Sequence, residues 1–216
     1  MLLREIKRPE LQPKQNKPFQ PGDMPDKFQL IGSGVGSGLQ NSQVYLDKQD
    51  PNRVLKVVSI RDLSDPYLAY IRMVESHQNN PFFPRINWYK VYQQPDNSYL
   101  LYVFMEKLVP LSKFDPEVIK GVLSSIGIEY TGNLRIDFSL RQIMKNPKYR
   151  KNLKQSTQYP KFQEALRLLE PMFRKFGNDM HIENLMARLT SIGPQIVITD
   201  PLYPDFGFGH IEVDEY

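Results

Sequence analysis

The chain has 216 residues with 28 Lys and Arg against 24 Asp and Glu, a formal net charge of +4 at pH 7, and 40% hydrophobic residues that include 12 Tyr and 12 Phe. That apolar content is enough for a buried core and excludes disorder throughout the chain. There is no cysteine, and His77, His181 and His210 are scattered, which excludes disulfide frameworks and thiolate nucleophiles and leaves carboxylate-held cations as the open metal chemistry.

Residues 1–26 carry Pro9, Pro13, Pro18, Pro21 and Pro25 with little apolar content and read as an extended N-terminal arm. No stretch approaches about 18 uncharged apolar residues, so the expectation is a soluble, unexported, cytoplasmic protein that does not engage a membrane. The fold is expected to begin near Lys27. Three short strands are predicted first, Phe28 to Ile31, Ser42 to Leu46 and Arg53 to Val58, separated by a glycine-rich turn and by Asp50-Pro51-Asn52. Asp65-Pro66 starts a helix that carries Leu68, Ala69, Ile71, Met73 and Val74 and stops at Asn79-Asn80-Pro81. Two more strands follow, Ile86 to Val91 and Tyr99 to Met105, joined by the turn Gln94 to Asn97.

The remainder reads as mainly helical. Its strongest helix is 161–176, where Phe162, Ala165, Leu166, Leu169, Phe173 and Phe176 recur at three- and four-residue steps; Pro171 suggests a kink and Gly177 the stop. A polar loop from Asn178 to Asn184 leads to a hairpin, Leu185 to Leu189 and Ile196 to Thr199, around Ser191 to Pro194. The fold class is therefore α+β: an N-lobe over 27–107, with five antiparallel strands and one helix, and a reduced, mainly helical C-lobe over 108–216.

Several residues stand out chemically. The run Ile31 to Leu39 holds Gly32, Gly34, Gly36 and Gly38; such a backbone can approach a phosphate closely, or simply form a mobile hairpin turn. Lys56 alternates with Leu55 and Val57 in an apolar strand, so it faces the side of Val54 and Val58 and needs an anion or an edge position from which to reach solvent. Glu75 lies on the following helix, close to its end. The polar loop places Asp179 and Asn184 five positions apart with His181 between them, and Asp200 closes the last strand in Ile198-Thr199-Asp200-Pro201.

This order of glycine turn, strand lysine, helix glutamate, Asp-x-x-x-x-Asn loop and hairpin aspartate resembles the protein-kinase superfamily. It is most similar to the early serine/threonine protein kinases of short-tailed lytic bacteriophages, through Asp179-Met180-His181-Ile182-Glu183-Asn184 and Ile198-Thr199-Asp200-Pro201. The resemblance implies a nucleotide site for ATP and Mg2+ and protein substrates in a viral host. It gives Gly32, Gly34 and Gly36 the phosphates, and Lys56 the α and β phosphates under the hold of Glu75. Glu106 and Leu108 would meet the adenine through their backbone, with Met105 as gatekeeper. Asp179 would be the catalytic base, assisted by Lys56, and Asn184 and Asp200 the metal ligands. A literal Asp205-Phe206-Gly207 is the alternative metal aspartate; the shorter step from Asn184 favours Asp200.

Departures from the family pattern keep other functions open. Ser37 stands where a third spaced glycine is usual, Gly177-Asn178 replaces His-Arg before Asp179, and only residues 201–216 follow Asp200, too few for a full activation segment. A pseudokinase-like protein that inhibits a host partner by binding is the second reading. A small-molecule phosphotransferase, suggested by His181, is the third. Between Asp137 and Glu164 there is no acidic residue, and Arg141, Lys145, Lys148, Arg150, Lys151 and Lys154 make the segment 141–154 a solvated basic face or a surface for an acidic partner.

Overall fold

The computed structural model describes residues 26–35, 41–126, 158–177, 179 and 184–202. The arm over 1–25, Gly36, the basic segment 141–154, His181 and Asp205 lie outside the described residues. The described chain is α+β. Its larger sheet is antiparallel and has five strands: β1 (Phe28–Val35), β2 (Asn41–Asp47), β3 (Arg53–Ile60), β4 (Ile86–Gln93) and β5 (Tyr99–Glu106), in the order β1-β2-β3-β5-β4. One helix, α1 (Pro66–Ser76), separates β3 from β4. β1 runs further than its apolar residues suggest, through Gly32 and Gly34 to Val35, and its register against β2 slips between Leu30 and Gly32. Ladder hydrogen bonds thus carry strand through glycines whose composition reads as a turn.

β3 is central and is apolar on both sides. Val54, Val58 and Ile60 join Leu101, Val103 and Met105 of β5 and Tyr67, Leu68, Tyr70, Ile71 and Val74 of α1 in the main core. Leu55 and Val57 face the other way, with Tyr45, Tyr102 and the partly buried Phe28 and Phe104 in a second cluster. Trp88 stacks on Phe104 at 5.4 Å between ring centroids, and Tyr92 meets Tyr102 edge to face at 5.1 Å. Such pairs add about 0.5–1.5 kcal/mol each to the area they bury.

α1 starts where the sequence predicts. The Asp65 carboxylate accepts a hydrogen bond from the Tyr67 N–H at 2.8 Å and Pro66 occupies the first turn, a favourable helix entry. The helix ends slightly early, at Ser76. Asn80 then turns the chain back: it is 1% exposed, its amide donates to the Lys161 carbonyl at 3.0 Å, and its oxygen accepts from the Phe82 N–H at 3.0 Å.

The second half contributes β6 (Val109–Pro110), α2 (Pro116–Ser125), α3 (Tyr159–Phe176), β7 (Leu185–Thr190) and β8 (Gly193–Ile198). α3 buries Phe162, Ala165, Leu166 and Leu169, the face its periodicity predicts, and continues through Pro171 to a cap in which Gly177, at φ 86°, donates its N–H to Phe173. The β7–β8 hairpin turns at Gly193, whose φ of 118° few other residues tolerate. β6 pairs with β7 to make a second, three-stranded sheet that sequence patterning does not reveal, because a two-residue strand has no period. One hydrophobic core runs from Val54 to Leu202 and crosses the boundary expected between 107 and 108. Among the described residues no helix is long and apolar enough to cross a membrane.

A buried ion pair ties the two sheets together. Arg188 of β7 donates from Nε and Nη2 to the two carboxylate oxygens of Glu106, at 2.8 and 2.5 Å, and its remaining N–H groups reach the carbonyls of Pro81 and Phe83 and the Gln195 side chain. The side chains are only 9% and 16% exposed. Removing one partner strands the other charge, so Arg188→Ala is expected to cost about 3–5 kcal/mol. The double change Arg188→Met, Glu106→Leu should restore much of that loss in urea unfolding.

Candidate functional site

The site forms where β3 and the end of β8 meet. On the inner face of β3, Lys56 sits between Val54 and Val58 and opposite Val44 of β2. Its side chain is 21% exposed, and its Nζ lies 3.6 Å from Asp200 Oδ2. The same ammonium stands over the Tyr67 ring, 4.2 Å from the centroid. Burial disfavours the charge on Lys56 and is the largest single influence, yet Tyr67 and Asp200 together outweigh it and hold the amine above its ordinary 10.5. The Tyr67 and Tyr70 phenols are pushed up by burial, and the Asp200 charge adds to the effect.

Asp200 is held through the residues before it. The Ile198 N–H donates to the Phe82 carbonyl at 2.8 Å, and the Ile198 carbonyl accepts from the Tyr70 hydroxyl at 2.5 Å. Thr199 donates from both N–H and Oγ1 to the Asn184 carbonyl, at 3.1 and 3.0 Å. β8 is thereby anchored to α1, to the turn before β4 and to the residue that opens β7. Asp200 itself, 42% exposed at its side chain, opens to solvent beyond Lys56.

Asp179 joins the same group. Its N–H donates to the Pro201 carbonyl at 2.9 Å, next to Asp200, and Asn184 Nδ2 donates to the Asp179 carbonyl at 2.6 Å and to Oδ2 at 3.3 Å. A carbonyl can only accept, so the Asn184 amide must turn its nitrogen toward Asp179 and its oxygen away. Oxygen from Asn184 and a carboxylate from Asp200 are hard donors of the kind magnesium takes alongside phosphate oxygens, so the donor set fits that ion.

Lys56, Asp179, Asn184 and Asp200 are thus brought together from three separate parts of the chain. Glu75 is not. It occupies the last turn of α1, exposed, while the helix buries Tyr67, Leu68, Tyr70, Ile71 and Val74, and among the described residues it makes no ion pair with Lys56. The structure thus does not bring Glu75 to Lys56: the first turn of α1, not the last, faces the lysine. Met105 is buried against Val54, and Leu108 is buried in the main core. Glu106 carries an additional task, since its side chain pairs with Arg188 and accepts the Arg85 N–H at 2.8 Å. Gly34 lies in β1 and Gly32 at its bulge; a side-chain carbon at Gly32 would meet nothing within 4 Å, so the folded chain leaves open space there.

Sequence reasoning missed Tyr67 and Arg188. A signal for the first exists: Tyr67, Tyr70, Ile71 and Val74 follow the helical period, which puts two phenols on an apolar face where each needs a polar partner. Arg188 gives no such sign within its own strand. Compared with known protein families and with curated proteins, the chain matches none.

The raised Lys56 has a consequence for pH. A folded-state value above 10.5 means that the stabilisation is fully present below the unfolded value and is lost only as pH rises through the folded one. The difference in unfolding free energy between the wild type and Lys56→Met should therefore stay flat from about pH 6 to 9, as measured by denaturant titration, and change only in stronger alkali.

Proposed function

We propose that the chain is an ATP- and magnesium-dependent phosphotransferase of protein-kinase type that acts on serine or threonine hydroxyls of proteins. The convergence of Lys56, Asp179, Asn184 and Asp200 carries this reading, because phosphoryl transfer asks a site chiefly to position phosphates and to offset their charge. The five-stranded antiparallel sheet with its helix after β3, followed by a smaller sheet, agrees with the kinase resemblance at the level of architecture. The phage-like motifs nominate proteins of a bacterial host as acceptors.

In this reading Lys56 donates hydrogen bonds to phosphate oxygens, its ammonium kept charged by Asp200 and Tyr67. The carboxylate of Asp179 takes the proton of the incoming hydroxyl, restrained by Asn184 Nδ2 and by its backbone bond to Pro201. The oxygens of Asn184 and Asp200 hold the magnesium, which when bound neutralises phosphate charge. Gly32 leaves room for the phosphates beneath β1. The exposure of Glu75 favours a second reading, a pseudokinase-like module that holds nucleotide and acts by binding a host partner.

ATP with magnesium should raise the melting temperature. Ligand at a hundred times its Kd adds about 2.7 kcal/mol, roughly 5–10 °C for a chain of this size. Lys56→Ala and Asp200→Ala should shrink the shift, and an unmoved curve at millimolar nucleotide would remove the nucleotide site from consideration.

Asp179→Asn separates enzyme from binder. It keeps the side chain's size and should leave nucleotide affinity close to wild type while lowering transfer from radiolabelled ATP to host extract by about 10² to 10⁴. A variant that labels substrate at the wild-type rate would exclude Asp179 as base. A wild type that labels nothing while still inhibiting its partner would favour the binding module.

A further inference from the structure

We propose that Tyr67 is the positioning residue for Lys56, filling from the first turn of α1 the place that the kinase resemblance implies for Glu75. The purpose of holding the lysine rests on the nucleotide-site reading above. The contact itself rests on geometry. Lys56 Nζ stands over the Tyr67 ring, 4.2 Å from its centroid, and Tyr67 is 4% exposed. The tyrosine is fixed from both ends: its N–H is capped by the Asp65 carboxylate at 2.8 Å, and its ring lies 6.2 Å from that of Tyr70. Tyr70 in turn donates to the Ile198 carbonyl, two residues before Asp200. The first turns of α1 therefore hold both members of the Lys56–Asp200 pair.

The exchange of residue type changes the charge of the site. A glutamate beside Lys56 would add a second carboxylate to Asp200 and spread the lysine's charge over two anions. A phenol is neutral at working pH and offers a ring face and a hydroxyl oxygen, both attractive to an ammonium. Tyr67 can thus aim Lys56 without neutralising it, leaving Asp200 as the anion paired with it among the described residues and more of the positive charge for phosphate oxygens.

The test uses the full chain with Tyr67→Leu, which keeps an apolar side chain and deletes the ring, compared with Tyr67→Phe, which keeps the ring, and with Glu75→Gln. Acetic anhydride labelling at mildly alkaline pH, read peptide by peptide by mass spectrometry with Lys120 as internal reference, reports how firmly the Lys56 ammonium is held. Tyr67→Leu should label at Lys56 several-fold faster than wild type, Tyr67→Phe and Glu75→Gln near the wild-type rate, and Asp200→Asn, as positive control, faster. In transfer assays Tyr67→Leu should lower kcat by about tenfold, the size expected when a partly desolvated contact between an ammonium and a ring is lost, with unfolding in urea still cooperative. Wild-type labelling of Lys56 in Tyr67→Leu while the Asp200→Asn control responds, or faster labelling in Glu75→Gln, would overturn the proposal. Labelling does not depend on phosphate transfer, so a failed nucleotide-site reading would show in the melting and transfer assays while the Tyr67 contact is judged on its own.

Discussion

Lys56 brings a full positive charge into a layer otherwise made of Val44, Val54, Val58 and Met105, and the rest of the arrangement follows from that charge. An ammonium buried without partners costs several kcal/mol, so the strand can hold this residue only if anions or dipoles from elsewhere close over it. Asp200 and Tyr67 do so, one from the end of β8 and one from the start of α1. For Asp200 to arrive, the β7–β8 hairpin must dock beneath the larger sheet, and the bonds from Ile198 to Phe82, from Tyr70 to Ile198 and from Thr199 to Asn184 set that docking. The docked hairpin carries Asn184 at its start, and Asp179 follows through its bonds to Asn184 and Pro201. Stability of the junction and assembly of the site are here the same requirement.

Arg188 and Glu106 meet the complementary requirement on the far side of the hairpin. A guanidinium has five N–H groups in a rigid fork, and here each has an acceptor: two carboxylate oxygens, two carbonyls and an amide oxygen. Because those acceptors belong to β5, β8 and the turn before β4, the end of β5 and the hairpin are held as one piece. In the nucleotide-site reading this ties the strand expected to meet the adenine to the hairpin that carries the metal ligands, so the distance between the two ends of the nucleotide would be set by a buried ion pair. The continuous core from Val54 to Leu202 has the same effect through packing.

Where expectation and structure part, local pattern and tertiary contact compete. Glu75 has the spacing from Lys56 that the kinase resemblance asks for, but helix rotation decides what faces the lysine, and the residues α1 buries turn Tyr67 toward the site and leave Glu75 in solvent. The glycine run reads as a turn from composition, yet pairing with β2 keeps its first part in strand. α3 runs through Pro171 to Phe176, the end its periodicity predicts, because the packing of Phe162, Leu166 and Leu169 outweighs one lost hydrogen bond.

Periodicity and punctuation were legible by themselves: the alternation around Lys56, the Asp65-Pro66 helix start, the apolar face of α3 with its Gly177 stop, and the turns at Asp50-Pro51 and Gly193 all depend on neighbours in sequence, and so did the four residues of the candidate site as chemical types in a given order. Tertiary structure decided which partners those residues meet. The pairing of Lys56 with Tyr67, the Arg188–Glu106 bond between sheets and the short strand β6 join positions far apart in the chain, and each exists because a buried charge or an unpaired backbone group must find its complement wherever packing brings one within reach.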